Sequence, residues 1–233
     1  MVFLSIIIGL VPTQAFAAPP LQHLNGIVAQ RDFSQTLLKD DELYDMAKKG
    51  HLINDQQTKV EILPSQADEF QVKITKKLKE TSYLSGEIVE NYVTTVTGEK
   101  YETGTSGAAT VKMRVGFYYD RATFDNITCY KITSYYTDAY RLDNTFRLTK
   151  LTSLAGQMGF GYKDDGTRIT SNGVTSSFTK EYPVSGTRYS KNTGFNFYID
   201  NNAVSTSGSV TSQLYYQRNT GGTVYSYELD VSL

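Results

Sequence analysis

The chain has 233 residues and an almost balanced charge, with 23 Lys and Arg against 24 Asp and Glu. This balance leaves no basic stripe for phosphate groups, which argues against nucleic acid as the main partner. Tyrosine is abundant, with 18 residues, and tryptophan is absent. Aromatic residues interspersed with Thr, Ser, Gly and Asn are typical of a twisted antiparallel sheet, and an all-β chain of this length commonly forms one main domain.

Residues 1–17 are predicted to be a secretory signal peptide. An apolar run over 2–11 is followed by the small-residue motif Ala15-Phe16-Ala17, which predicts cleavage after Ala17. The run is too short to cross a bilayer as a helix, so an anchor or a buried strand is the less favoured alternative. No Lys or Arg precedes the run, and we expect the true start codon upstream of Met1. The mature protein is expected to be secreted and extracellular, without a permanent membrane span.

Residues 18–64 are predicted to form a leader that contains one helix. The stretch from Ser34 to Gly50 has acidic residues early and Lys48 and Lys49 in its last turn, an order that favours a helix ending before Gly50. Ser34 and Asp40 are both candidate caps. The apolar face would consist of Leu37, Leu38, Tyr44 and Ala47. A cleaved propeptide is the alternative to a surface helix preceded by a mobile tail.

Residues 65–233 are predicted to form an antiparallel β-sandwich, or a barrel-like variant of it, with about nine strands. The clearest pattern is a hairpin over Ala108–Tyr136. Apolar and polar residues alternate from Val111 to Tyr119, and a polar loop over 120–126 precedes a second strand. That strand carries apolar residues on both faces, so the hairpin is expected to be central and covered on both sides. Turns are predicted at Asp165-Gly166, Ser171–Gly173 and Val184–Gly186.

Metal, cofactor and covalent chemistry find little support in the sequence. Cys129 is the only cysteine and lies in an alternating strand, so it is expected to be a buried apolar side chain rather than a nucleophile. His23 and His51 are the only histidines, and they cannot supply a zinc set or a catalytic triad from outside the β region. The glycine-rich run over 156–161 lacks the Lys-Ser/Thr ending of a phosphate loop. We therefore expect no cofactor and no metal.

Acidic and basic residues in the predicted strands are interpreted as surface groups. A glycosidase-like hydrolase would need two carboxylates that converge in space. The available carboxylates are Glu87, Glu90, Asp125, Asp138 and Glu181. Because such residues usually lie at the surface, none is assigned a catalytic role. Lys76, Lys77 and Lys79 form a small basic cluster, which is typical of a solvated strand end or a protected sheet edge.

The favoured function is non-enzymatic binding of an unknown extracellular protein or cell-surface polymer. The candidate contact residues would form an aromatic face, and they are Tyr118, Tyr135, Tyr136, Tyr215 and Tyr216. The alternative is a secreted β pore-forming toxin with 108–136 as its membrane hairpin, although the mixed faces of the second strand do not suit lipid contact. In general character the chain resembles small secreted proteins of Gram-positive bacteria, without a diagnostic motif.

Overall fold

The computed structural model describes residues 31–32, 38–65, 68–82, 88–102, 108–200 and 202–233. The predicted signal peptide over 1–17 and the candidate cap Ser34 lie outside these ranges. Within them the protein is mainly antiparallel β with one short helix, as the composition predicts. The helix is α1 (Asp40–Lys48), and the strands are β1 (Arg31–Asp32), β2 (Thr58–Leu63), β3 (Glu69–Ser82), β4 (Ile88–Lys100), β5 (Val111–Phe124), β6 (Ile127–Arg141), β7 (Phe146–Lys163), β8 (Arg168–Glu181), β9 (Thr187–Asn192), β10 (Phe197–Asp200), β11 (Ser207–Arg218) and β12 (Val224–Ser232).

All of these strands belong to one antiparallel sheet. The order is β1-β3-β4-β5-β6-β10-β7-β11-β12, with β2 beside β3, β8 beside β7 and β9 beside β6. The described part of the chain thus has eleven strands of four or more residues and the two-residue β1, so the prediction of about nine strands was too low. The strands that were not predicted, β2 and β9, have only six residues each. β9 has mostly exposed side chains, because it lies at an edge and needs no apolar alternation.

Strand β2 lies in the stretch 18–64 that was predicted as leader, yet it is part of the sheet. It pairs with β3 from Thr58↔Lys76 to Leu63↔Gln71. The helix α1 begins at Asp40, one of the two candidate caps, with Lys39 in the N-cap position, and the Glu42 carboxylate accepts a 3.0 Å hydrogen bond from the Lys39 backbone N–H. The buried residues of α1 pack on strands β2 and β3, and this cluster contains Leu43, Tyr44, Ala47, Val60, Val72 and Ile74.

The helix face differs in part from the predicted one. Tyr44 and Ala47 are buried as expected. Leu38 precedes the first turn and is 45% exposed, and Leu37 lies outside the described residues. Leu43 is fully buried in their place. The predicted face included Leu38, but α1 begins two residues later, at Asp40.

The hairpin of β5 and β6 occupies the middle of the sheet, as the two apolar faces of β6 predict. β5 lies between β4 and β6 in the hydrogen-bonded order. The connection is shorter than the predicted loop over 120–126. It contains only Asp125 and Asn126, whose φ angles are 50° and 64°. Positive φ at both positions is the geometry of a two-residue hairpin turn that matches the twist of long strands.

The sheet is open and folds back on itself, so that β11 and β12 approach β4, β5 and β6. The largest apolar cluster fills the space between these two groups of strands. It includes Phe117, Ile132, Leu151, Leu214 and Leu229. At β4 the close approach requires a glycine, because a Cβ on Gly98 would lie 2.9 Å from a Leu229 methyl group. The buried side chain of Gln157 connects β7 to the neighbouring strands β6 and β10. Its Oε1 accepts from the Ile132 N–H over 2.9 Å, and its Nε2 donates to the Phe197 carbonyl over 2.7 Å.

Two of the three predicted turns are present. Gly166 and Gly186 lie in turns with φ near 80°, a conformation that glycine adopts without a steric cost. The turn predicted at Ser171–Gly173 is wrong. These residues lie inside β8, where Gly173 pairs with Met158 of β7. The Asn-Gly sequence signals a turn only when strand pairing does not continue through it.

Candidate functional site

A recess of about 230 Å³ lies at the surface between the start of α1 and the outer face of the sheet. We call it the Arg188 recess. It is lined by residues from α1 and the segment before it and from strands β3, β4, β5, β6 and β9, namely Leu38, Lys39, Asp40, Lys76, Leu78, Val93, Tyr118, Tyr136 and Arg188. Six separate parts of the chain therefore meet here, which gives the recess a fixed shape.

Strand pairing positions the floor of the recess. Lys76 pairs with Val93, and Val93 pairs with Tyr118, so these three side chains cross β3, β4 and β5 in one row. Tyr136 of β6 pairs with Gly116 of β5. A Cβ at Gly116 would lie only 2.6 Å from the Tyr136 ring. The missing side chain therefore lets the ring of Tyr136 lie across β5, beside that of Tyr118.

The two tyrosines form an aromatic floor with a fixed orientation. Their ring centroids are 5.8 Å apart, within the range of favourable aromatic pairs. The Tyr136 hydroxyl and Thr95 Oγ1 are 2.6 Å apart and hydrogen-bonded. Burial, with a further contribution from the charge of Asp40, raises the pKa of Tyr136, so this phenol stays neutral. The Tyr136 ring thus contributes an aromatic surface to the floor rather than an acid or a nucleophile.

Arg188 forms the rim of the recess on β9. Its Nε and Nη2 donate to the two oxygens of Asp138 over 2.8 Å each, a bidentate arrangement that fixes the plane of the guanidinium. The guanidinium carbon is 3.8 Å from the centroid of the Tyr136 ring, a cation–π contact. The hydrogen bond to Asp138 raises the pKa of Arg188. The cation is therefore permanent and held in one orientation, while 43% of its side chain remains exposed.

On the side of the recess opposite Arg188, ion pairs hold α1 against the sheet. Asp40 pairs with Lys76, whose Nζ also donates to the Leu38 carbonyl over 2.9 Å. Asp41 pairs with Arg114 and, over 3.2 Å, with Lys112. Burial acts to raise the pKa of Asp41, but the charges of Arg114 and Lys112 outweigh it, so the net pKa is lowered. The helix is thus held by charge as well as by its apolar face.

The basic cluster predicted on β3 is not simply solvated. The Lys76 side chain is only 10% exposed and lies against Asp40. Lys77 is 15% exposed and pairs with Glu80 and with Glu90, the latter over 2.6 Å. The physical reason is that Asp40 of α1 and Glu90 of β4 cover these amines, together with Glu80 of β3 itself. Sequence spacing cannot reveal Asp40 and Glu90 as partners, because they come from other elements.

The five tyrosines proposed as one aromatic face lie at different places. Tyr118 and Tyr136 come together in the Arg188 recess, although Tyr136 is almost fully buried. Tyr135 and Tyr216 are fully buried; Tyr135 stacks on Phe178 and Tyr216 on Tyr225. Tyr215 is half-buried near Lys150. They do not share a surface because adjacent residues in a strand point to opposite faces.

The carboxylates considered for hydrolysis are mostly committed to other roles. Asp138 holds Arg188, and Glu90 accepts hydrogen bonds from Lys77 and Arg121. Burial acts to raise the pKa of Glu90, but the bond and charge of Lys77 outweigh it and lower the net pKa, the opposite of what a general acid needs. Asp125 lies in the β5–β6 turn and Glu181 is exposed at the end of β8. Glu87 lies outside the described residues.

Arg188, Asp40 and Lys39 were not recognised from the sequence. Arg188 lies about 150 positions after Lys39 and Asp40 in the sequence, and no motif surrounds any of them. A weak signal existed in Gly116, which interrupts the most regular apolar and polar alternation of the chain. A glycine in a strand often marks a place where another group approaches closely, and here that group is Tyr136.

A second depression, of about 270 Å³, lies on the outer face of β7, β8, β11 and β12. It is lined largely by hydroxyl and amide side chains, with Leu154 and Glu228 among them. Leu154, Met158 and Phe160 are each more than 40% exposed along the same face of β7. Its lining contains no Lys or Arg, in contrast to the Arg188 recess.

In the described ranges, no three His, Cys, Asp or Glu side chains are grouped so that they could hold a metal ion. The same residues include no helix with the length and apolar character needed to traverse a bilayer. Comparison with known proteins gave no match to a family model, to a curated protein or to a solved structure.

Proposed function

We propose that the chain is a secreted, non-enzymatic β-sandwich protein of bacterial origin that binds an extracellular protein or cell-surface polymer, with the Arg188 recess as its contact site. The sandwich description is supported by the fold-back of the sheet, because β4 to β6 and β7, β11 and β12 enclose one apolar cluster. Secretion is supported by the apolar run and the Ala15-Phe16-Ala17 motif.

The observation that carries the binding role is the preorganised rim of the recess. Arg188 is fixed by two hydrogen bonds and by the ring beneath it, yet part of it faces solvent. Ordering a long side chain on binding costs free energy, and this cost is already met in the free protein. Arginine and tyrosine are also the residue types that contribute most to interfaces.

The chemistry of the lining favours binding over turnover. The nine residues that line the recess include no histidine, cysteine, serine or threonine. The one lining carboxylate, Asp40, is engaged with Lys76, and the Tyr136 phenol is held neutral. A nucleophile with an adjacent base, the usual requirement for covalent catalysis, is not formed by these side chains.

The test compares binding of the purified chain to isolated Gram-positive cell walls and to proteins of the culture medium. Tyr118→Ser removes the partly exposed ring of the recess, and Tyr215→Ser is the matched control on the other half of the sheet. We expect saturable binding that Tyr118→Ser weakens at least about tenfold, as loss of an interface aromatic does, and that Tyr215→Ser leaves unchanged. Urea unfolding curves check that both variants fold.

Two outcomes would overturn the proposal. One is binding that does not saturate or that both variants share with the wild-type chain. The other is release of dye from liposomes by the purified chain, which would support the β pore-forming alternative instead.

A further inference from the structure

We infer that the ligand group held in the Arg188 recess is acidic, a carboxylate or a phosphate, attached to a flat or apolar moiety that lies against Tyr118. This inference rests on the proposed binding role of the recess and specifies the chemistry of its ligand.

The charge of the lining is positive. The lining contains three cations, Lys39, Lys76 and Arg188, and one carboxylate, Asp40, which pairs with Lys76. Behind the lining, Asp138 is opposed by Arg188 and by Arg114, whose Nη1 lies 3.5 Å from it. Asp41, on the helix, is opposed by Arg114 and Lys112. Each of these three carboxylates thus faces a cation. The Glu42 carboxylate accepts from the Lys39 backbone N–H, and the nine lining residues by themselves carry three cations and one carboxylate.

Arg188 offers the geometry that an acid group requires. Asp138 occupies the Nε–Nη2 edge of the guanidinium, and the other N–H groups point away from that carboxylate. Planar guanidinium groups bind carboxylate and phosphate through paired hydrogen bonds. The aromatic contact with Tyr136 leaves the cation in place while the other edge binds. A neutral hydroxylated ligand would use the same donors but gain no charge pairing.

The size of the recess limits what accompanies the acid. Its volume of about 230 Å³ is below the roughly 300–1,000 Å³ of sites for drug-sized ligands. One ring or a short chain fits beside the acid group. Tyr118, Leu78 and Val93 supply the apolar wall for it. The source of such a group is either a free small acid or one unit of an acidic polymer.

The experiment measures binding of four probes to the full chain by calorimetry. They are inorganic phosphate, D-glucuronate, polyglucuronate and, as the neutral counterpart of glucuronate, D-glucose. We expect the acids to bind and glucose to bind at least about tenfold more weakly. Raising the ionic strength from low to physiological salt should weaken the acids, because part of the lining is exposed to screening.

Three variants assign the binding to the recess. Lys39→Gln removes an exposed lining cation, and Arg188→Lys keeps a charge for Asp138 but loses the planar fork. We expect acid affinity to fall about threefold in the first and at least about tenfold in the second, since a lysine cannot replace a bidentate arginine. Lys163→Gln, an exposed cation at the far end of β7, should bind as the wild-type chain does.

The possible results distinguish a wrong ligand chemistry from a wrong binding role of the recess. Tighter binding of polyglucuronate than of glucuronate, per acid unit, would identify a polymer as the source. Binding of glucose equal to that of glucuronate, or acid binding unaffected by Arg188→Lys, would overturn the acidic ligand while leaving recess-dependent cell-wall binding intact. Failure of all probes together with no effect of Tyr118→Ser on cell-wall binding would overturn both.

Discussion

Asn91 and Asp120 face each other across β4 and β5, with Nδ2 of Asn91 donating to Oδ1 of Asp120 over 2.6 Å. The other amide atom, Oδ1 of Asn91, is buried without a hydrogen-bond donor among the described residues. Burial raises the pKa of Asp120 above its usual value, although the charge of Lys131 opposes it. An amide in place of the Asp120 carboxylate could accept the hydrogen bond from Nδ2 of Asn91 and also donate one to Oδ1 of Asn91.

Asp120→Asn is expected to stabilise the protein at pH 7 by about 1 kcal/mol, because the new amide can donate to the orphaned Oδ1 of Asn91. The penalty for a carboxylate with a raised pKa is present above its folded pKa and disappears below the unfolded value of 3.8. The gain should thus shrink as the pH falls towards 4. Urea unfolding at both pH values measures it. Asp120→Ala, which leaves the Asn91 amide unpaired, should instead lose about 1–3 kcal/mol.

Asp41→Asn is expected to reduce the acid sensitivity of α1 docking. The pKa of Asp41 is lowered in the folded state, so its stabilising effect is present above the unfolded value of 3.8 and is lost as the pH falls through the lower folded pKa. The Asp41 side chain is 60% exposed, which limits the effect to below about 1 kcal/mol.

The free energy of unfolding between pH 7 and pH 2 tests this expectation. The wild-type chain should lose stability relative to Asp41→Asn in the acid part of that range. Glu61→Gln is the control, because Glu61 forms an exposed pair with Lys59 over 2.9 Å. A difference between wild type and Asp41→Asn that stayed constant with pH would contradict the role of the charge.

Gly161→Ala should destabilise the protein by about 1–3 kcal/mol or more, in the range of overpacked sites. A Cβ at Gly161 would overlap the backbone carbonyl of Tyr198, where β10 pairs with β7. Gly156→Ala, five residues earlier in β7, is the matched control. Its Cβ would have no neighbour closer than 4.0 Å, and the loss of chain entropy in the unfolded state predicts a neutral or slightly positive effect. Equal midpoints of thermal unfolding for the two variants would refute this account.

Cys129 should be inert in the folded protein. It is fully buried, and burial raises the pKa of its thiol to about 12, with a smaller contribution from Asp200. Because the thiolate is the reactive form, modification by iodoacetamide at pH 8 should follow the rate of unfolding. Added urea should accelerate labelling in parallel with unfolding followed by circular dichroism. Rapid stoichiometric labelling without urea would show that the site opens locally.

The sequence alone determined the β class, the central position of the β5–β6 hairpin and the burial of Cys129. These features follow from local periodicity, which is set by the alternation of side chains along a strand. The final strand is an example. Tyr227, Leu229 and Val231 are buried and Glu228 and Asp230 are exposed, as their spacing predicts.

The tertiary structure decided the strand count, the extent of the helix and the composition of the recess. β9 is short and polar, so only its pairing with β6 makes it a strand. Arg188 lies on that strand, and it meets Asp138 and Tyr136 because the register of β9 on β6 places it there. Sequence periodicity shows which face of a strand a residue occupies. Which distant residues share that face depends on strand order and register, and these are set by long-range pairing.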